Sequence, residues 1–328
     1  MKKYLFIALA AATLASCSQD EVMEVAEKQA ISFGNTFVEN ATRATDPSYN
    51  NDDKKVTAFK VWGNVATTTA DTFVPVFAGA NVVGTEYGVA WTCDVTQYWI
   101  YGATYDFAAV VNGTVGSELN NGLPKTISYT ANNSDLLYAE EFDVIRQATQ
   151  SETEKLVKFT FNHLLSKVKF TVSNTTPGTS NDALYTYNIK SLTIKNSKSS
   201  GVYTIGGTWG SYGATDSATS FGDIESVGST SKICNSEMLL IPADFTSTKL
   251  QIGFTLEWCF NGEIITSNPK ALEASVNLEA GKAYNFTIST GLDKPIQFTV
   301  EEVEDWDYDT NDDGKVDADD NIEVETAA

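Results

Sequence analysis

The residues best placed to do chemistry sit at the two ends of the chain. Near the C-terminus, Asp309-Thr310-Asn311-Asp312-Asp313-Gly314-Lys315-Val316-Asp317-Ala318-Asp319-Asp320 has the spacing of a calcium loop. Loops of the EF-hand type put oxygen ligands at positions 1, 3, 5, 7, 9 and 12, with glycine at 6 for the sharp turn. Asp309, Asn311 and Asp313 fill the first three, Lys315 would offer its carbonyl, and Asp317 and Asp320 take the last two; Gly314 is the turn. Calcium is therefore the expected ligand, against the plainer alternative of a solvated acidic tail. At the other end, Leu14-Ala15-Ser16-Cys17 is a lipobox, the small-residue cleavage site that ends in the cysteine to be lipidated.

Catalytic groupings are thin. His163 is the single histidine, which removes most Ser-His-Asp, Cys-His and multi-histidine metal sites. It lies in Phe161-Asn162-His163-Leu164-Leu165, where a hydrogen-bonded corner residue is the expectation. A carboxylate pair of the glycosidase kind needs no histidine, yet nothing marks two acids out of 43. No enzyme is expected. With Cys17 lipidated, Cys93, Cys234 and Cys259 remain; Cys234 with Cys259 could pair, or all three could stay as small thiols.

Residues 1–16 read as a signal peptide: Lys2 and Lys3, then a short apolar run from Tyr4 to Leu14. That run is too short to remain as a membrane span, so the membrane is met through lipid on Cys17. Residues 17–30 form a spacer, and Ser18-Gln19-Asp20-Glu21 within it resembles the export tag of surface lipoproteins in some Gram-negative bacteria. The net charge of -21 is uneven, because residues 301–328 carry 13 acids and one lysine. No basic patch exists to meet phosphates, which excludes nucleic acid as the expected partner.

The elements that hold these residues repeat with a period of two. Val168, Phe170 and Val172 alternate with polar residues, as do Ile252, Phe254, Leu256, Trp258 and Phe260. Asn261-Gly262 follows the second run at once and predicts a tight hairpin, since both central positions of such a turn need positive φ. Ile31, Phe33 and Phe37 predict one strand over 30–38 with a buried face, and Ala41 to Asn51 an exposed loop open to proteolysis. The region Gly206–Thr230, rich in Gly, Ser and Thr, reads as a long surface loop. The fold class expected is all-β, sandwich or barrel, in two domains. Boundaries fall at 31–155 and 156–307, followed by an acidic tail at 308–328.

Several runs in order resemble the fimbrillin family, the type V pilins and pilin-like lipoproteins of Gram-negative gut and oral bacteria. They are Ile31-Ser32-Phe33, Ala41-Thr42-Arg43-Ala44, Phe161 to Val168, Met238-Leu239-Leu240-Ile241-Pro242, Leu278 to Tyr284, and Trp306. The resemblance spans about residues 1–307 and implies two tandem transthyretin-like β-sandwich domains. It also implies assembly with other pilin subunits by donor-strand exchange, after a trypsin-like protease cuts behind an arginine, here Arg43. A fimbrial subunit or surface adhesin of this kind would sit on the outer membrane through lipid and meet a host or bacterial surface receptor. The calcium loop, which resembles that of dockerin modules, lies outside the family pattern. The alternative function is a monomeric surface lipoprotein that binds glycans on its tryptophans and tyrosines, although such aromatics more often fill a sandwich core.

Overall fold

Alternation along the chain becomes sheet wherever one face can be buried, and it does so in both halves of the described chain. The structure is a computed structural model and describes residues 29–34, 37–38, 56, 58–66, 72–84, 91–147, 156–175, 185–214, 217–228, 231–234, 236–291 and 295–303. Among the described residues there is no helix.

A seven-stranded sheet dominates the first half. Its order is Phe37–Val38, Thr160–His163, Leu137–Ile145, Thr104–Val111, Ala58–Ala66, Phe73–Val83, Thr92–Cys93. Phe59, Phe77, Phe107, Phe159 and Phe161 fill its core together with Phe33. Gly63 is small of necessity: a Cβ there would lie 2.7 Å from Cδ1 of Phe107. In the second half two five-stranded sheets face each other. One contains Lys232–Ile233, Ser166–Asn174, Ala283–Thr290 and Gln297–Val303, with Met238–Leu240 paired to Ser166–Asn174. The other contains Ser217–Val227, Tyr185–Ser197, Leu250–Phe260 and Glu263–Thr266, with Lys270–Ala274 paired to Leu250–Phe260. Val168, Phe170, Val172, Ile252, Phe254, Leu256 and Phe286 meet between these sheets, as their alternation requires. Asn261 (φ 47°) and Gly262 (φ 82°) make the expected hairpin turn between Phe260 and Glu263.

A third core joins the halves. The strand Thr126–Thr130 pairs antiparallel with Ser200–Thr204, and Trp62, Ile127, Leu165, Trp209 and Ile241 cluster there. Leu164 and Leu165 are buried at the point where the chain leaves the first sheet for the second.

Some expectations need correction. Residues 206–230 are not a surface loop: Trp209–Gly210 and Ser217–Val227 are strands, and Phe221, Ile224 and Val227 are buried. The register of Ser217–Val227 against Tyr185–Ser197 shifts repeatedly, which breaks the period of two and hid the strand. The single strand expected over 30–38 is two short ones, Ser32–Phe33 and Phe37–Val38, each pairing parallel to a later strand. Residues 156–163, read from sequence as the start of the second domain, pair with strands of the first half. Cys93, Cys234 and Cys259 are free thiols, so the pairing of Cys234 with Cys259 is not made.

Candidate functional site

The N-terminal segment 29–34 occupies a slot with backbone partners on both edges. On one edge the Ile31 N–H donates to the Gln97 carbonyl (2.8 Å), while Trp99 N–H donates to the Gln29 carbonyl (3.0 Å) and Trp91 N–H to the Phe33 carbonyl (2.8 Å). On the other edge, Ser32 and Phe33 run parallel to Leu156 and Val157, and the Gly34 N–H donates to the Val157 carbonyl (3.2 Å). Side chains add to this hold. Ile31 and Phe33 are buried, and the Phe33 ring lies 5.5–6.1 Å from the rings of Phe59, Phe77, Phe107 and Phe159. Burying two such side chains contributes about 1.5–3 kcal/mol each. A segment removed from this slot would leave the Gln97 and Val157 carbonyls and the Trp91 and Trp99 amides open above an apolar floor.

The other end of the described chain is an edge strand. Gln297–Val303 pairs antiparallel with Ala283–Thr290, Phe298 touches Phe286 edge-on at 5.8 Å, and Val300 packs on the same core. Its alternate residues Gln297, Thr299 and Glu301 are exposed. Cys17, Arg43, Trp306 and the loop Asp309, Asn311, Asp313, Lys315, Asp317 and Asp320 lie outside the described residues. Among the described residues, no three of His, Cys, Asp or Glu stand together as a metal site.

His163 is the corner residue expected of it. It closes the strand Thr160–His163 opposite Leu137, and its Nδ1 lies 2.6 Å from Asp135 Oδ2. Among the described residues no tryptophan is exposed: Trp62, Trp99 and Trp209 are buried and Trp91 and Trp258 half-buried.

Sequence reasoning missed a buried polar row on the second half. Lys167 and Lys169, each 7% exposed, both reach Glu237, at 2.6 Å and 2.7 Å. Desolvation works to protonate Glu237, but the two lysine charges overcome it and hold the carboxyl below its usual range. Thr171 Oγ1 donates to Asn285 Oδ1 (2.9 Å) in the same row. Lys167 and Lys169 alternate with core residues and so read as a solvated face; no signal in the sequence marks that face as covered.

Comparison with known proteins agrees with this architecture. A family pattern described as Fimbrillin-like matches residues 42–306, and a prokaryotic membrane lipoprotein lipid attachment site matches residues 1–18. No curated protein matches the sequence. Among solved structures, a fimbrial protein from Bacteroides vulgatus ATCC 8482 superposes with a TM-score of 0.60 at 14% identity, covering 84% of this chain and 99% of that one. At that identity the likeness is one of fold. A candidate cell adhesion protein from Bacteroides ovatus ATCC 8483 gives 0.48 at 17% identity over 85% and 98%. The tip fimbrial protein Mfa3 from Porphyromonas gingivalis gives 0.40 at 10% over 77% and 95%.

Proposed function

The chain belongs to the fimbrillin-like family, a family of structural surface proteins and not of enzymes, and on that footing we propose that it is a fimbrial subunit or fimbrillin-like adhesin assembled by strand exchange. Lipid on Cys17 carries it to the outer membrane, facing outward. Cleavage after Arg43 then separates the segment 29–34 from the body of the protein, and a strand of another subunit takes its slot.

The observation that carries this reading is the seat of residues 29–34. The segment is hydrogen-bonded on two edges and buried through Ile31 and Phe33, yet it precedes the proposed cleavage point and nothing covalent would retain it afterwards. An emptied slot exposes unpaired backbone and an apolar floor, a costly state that an added strand relieves. The donor is drawn from the C-terminal region, where Ile322 and Val324 alternate with acids.

Cells carrying Arg43→Ala test the assembly. Wild-type cells are expected to show high-molecular-weight, SDS-resistant species, and the variant to lose them. Wild-type cells without such species would count against strand exchange.

Calcium at residues 309–320 is part of the same proposal and rests on ligand spacing. Unbound, these carboxylates repel one another, and a divalent ion replaces repulsion with coordination. Titration calorimetry should show binding at about 10⁻⁴–10⁻³ M, the range of extracellular modules, and the double change Asp309→Ala with Asp313→Ala should abolish it. No heat from wild type at millimolar calcium would leave the segment an acidic tail.

A further inference from the structure

The hairpin that joins Leu250–Phe260 to Glu263–Thr266 leaves an open strand edge on the second half. Glu263–Thr266 is the last strand of its sheet, and all four of its residues are exposed. Ile264 is 61% exposed, Ile265 63% and Phe260 44%. Phe260 stacks on Tyr185 at 4.8 Å, so the apolar surface continues onto the next strand but one. Single exposed apolar residues are ordinary, whereas a contiguous group of them marks a contact surface. Ile265 stands directly opposite Trp258, on the face that leads into the core, and Ile264 opposite Cys259 on the other face.

Sheet edges are commonly guarded against pairing by charge, proline or bulges. Two other edges of the second half follow that rule. Ser217–Val227 carries Asp223 and Glu225 and shifts register repeatedly, and Gln297–Val303 carries Glu301 and Glu302. Farther along the same edge, Pro269, Lys270 and Glu273 guard Lys270–Ala274. Glu263–Thr266 has one acid and no such guard. Its backbone is set to pair. Ser267 N–H donates inward to the Leu256 carbonyl at 2.7 Å, so Glu263 and Ile265 turn their backbone groups inward as well. The N–H and C=O of Ile264 and Thr266 therefore turn outward.

We propose that this edge joins a second copy of the chain, strand against antiparallel strand, about a two-fold axis through Ile265. Antiparallel pairing sets outward backbone groups against outward groups, so Ile264 of each copy meets Thr266 of the other and the pair exchanges both hydrogen bonds. Ile265 then falls opposite its own counterpart, in the closer pair of the ladder. Glu263 falls opposite Ser267. This register is what favours a second copy. The chain has a net charge of -21, yet here no acid opposes an acid, and like charges directly opposed would be destabilising. One strand serves both copies, so the contact closes on itself as a dimer. It uses no residue of the slot that holds 29–34 and does not depend on cleavage after Arg43.

A cysteine placed at the axis tests the pairing. Opposed residues of a close antiparallel pair lie about 4.5–5.5 Å apart at Cβ, near the span of a disulfide. The full chain carrying Ile265→Cys, purified in detergent and oxidised, is expected to run as a dimer that reductant returns to monomer. Wild type, with Cys93, Cys234 and Cys259 alone, should give no such dimer. Nor should Glu263→Cys, which lies on the same face but is set away from its counterpart by the register. An Arg43→Ala background removes strand-exchanged species from all of these samples. In sedimentation, the chain with Ile265 intact should form a reversible dimer, and Ile265→Lys should weaken it by about tenfold or more, because two like charges then meet at the axis. A chain that stays monomeric, or equal linking through Glu263→Cys and Ile265→Cys, overturns the proposal. So does an Ile265→Cys adduct on cells with a protein other than this chain.

Discussion

Phe33→Ala is expected to destabilise the protein by about 3–5 kcal/mol, the range for deleting a buried aromatic ring. Phe33 is fully buried and its ring touches four other phenylalanines, so the space it leaves is walled by rigid groups that cannot collapse into it. Its strand is only two residues long, and the pairing of Ser32 and Phe33 with Leu156 and Val157 depends on that anchor. Ser32→Ala, on the same strand but half-buried, should change stability by no more than about 0.5 kcal/mol. Denaturant unfolding of both variants decides the matter. A Phe33→Ala midpoint close to wild type would mean that the segment is not part of the cooperative fold, and the account of its slot would fail.

Trp209→Ala should have an effect of similar size, about 3–5 kcal/mol from lost packing, with a further contribution from the Leu164 carbonyl. Trp209 Nε1 donates to that carbonyl at 2.8 Å, its ring lies 5.7 Å from Tyr203, and Gly201 leaves room for it. Removing the indole leaves a buried acceptor without its donor, which costs about 1–3 kcal/mol. Trp209→Phe separates the two contributions, since it keeps most of the packing and loses only the donor. It should fall between wild type and the alanine variant. Equal stability of the alanine variant and wild type would return residues 206–214 to the status of a surface loop.

These two residues also mark where the sequence is legible and where it is not. Ile31 and Phe33 announce a half-buried strand by local alternation, and the Ser166–Asn174 and Leu250–Phe260 strands do so more strongly. The Asn261-Gly262 turn is legible because its chemistry is local: both residues tolerate positive φ. Partner choice is not local. Nothing in Ala283–Thr290 says that it runs parallel to Ser166–Asn174, or that Thr126–Thr130 pairs across the halves with Ser200–Thr204. Trp209 lay in a stretch whose Gly, Ser and Thr content resembled a loop, and the register shifts of Ser217–Val227 erased the alternation that would have corrected it. The row of Lys167, Lys169, Glu237 and Asn285 was hidden for a related reason. Alternating lysines look the same in sequence whether the outer face of a sheet is bare or covered.

Strand exchange makes one demand that no other arrangement of this chain makes, namely a new N-terminus on every assembled subunit. SDS-resistant species taken from wild-type cells, dissociated by heat and subjected to N-terminal sequencing, should begin at Ala44. Assembled subunits that still begin at lipidated Cys17 would contradict the account, because the segment 29–34 would then still be tethered to the body whose slot it fills.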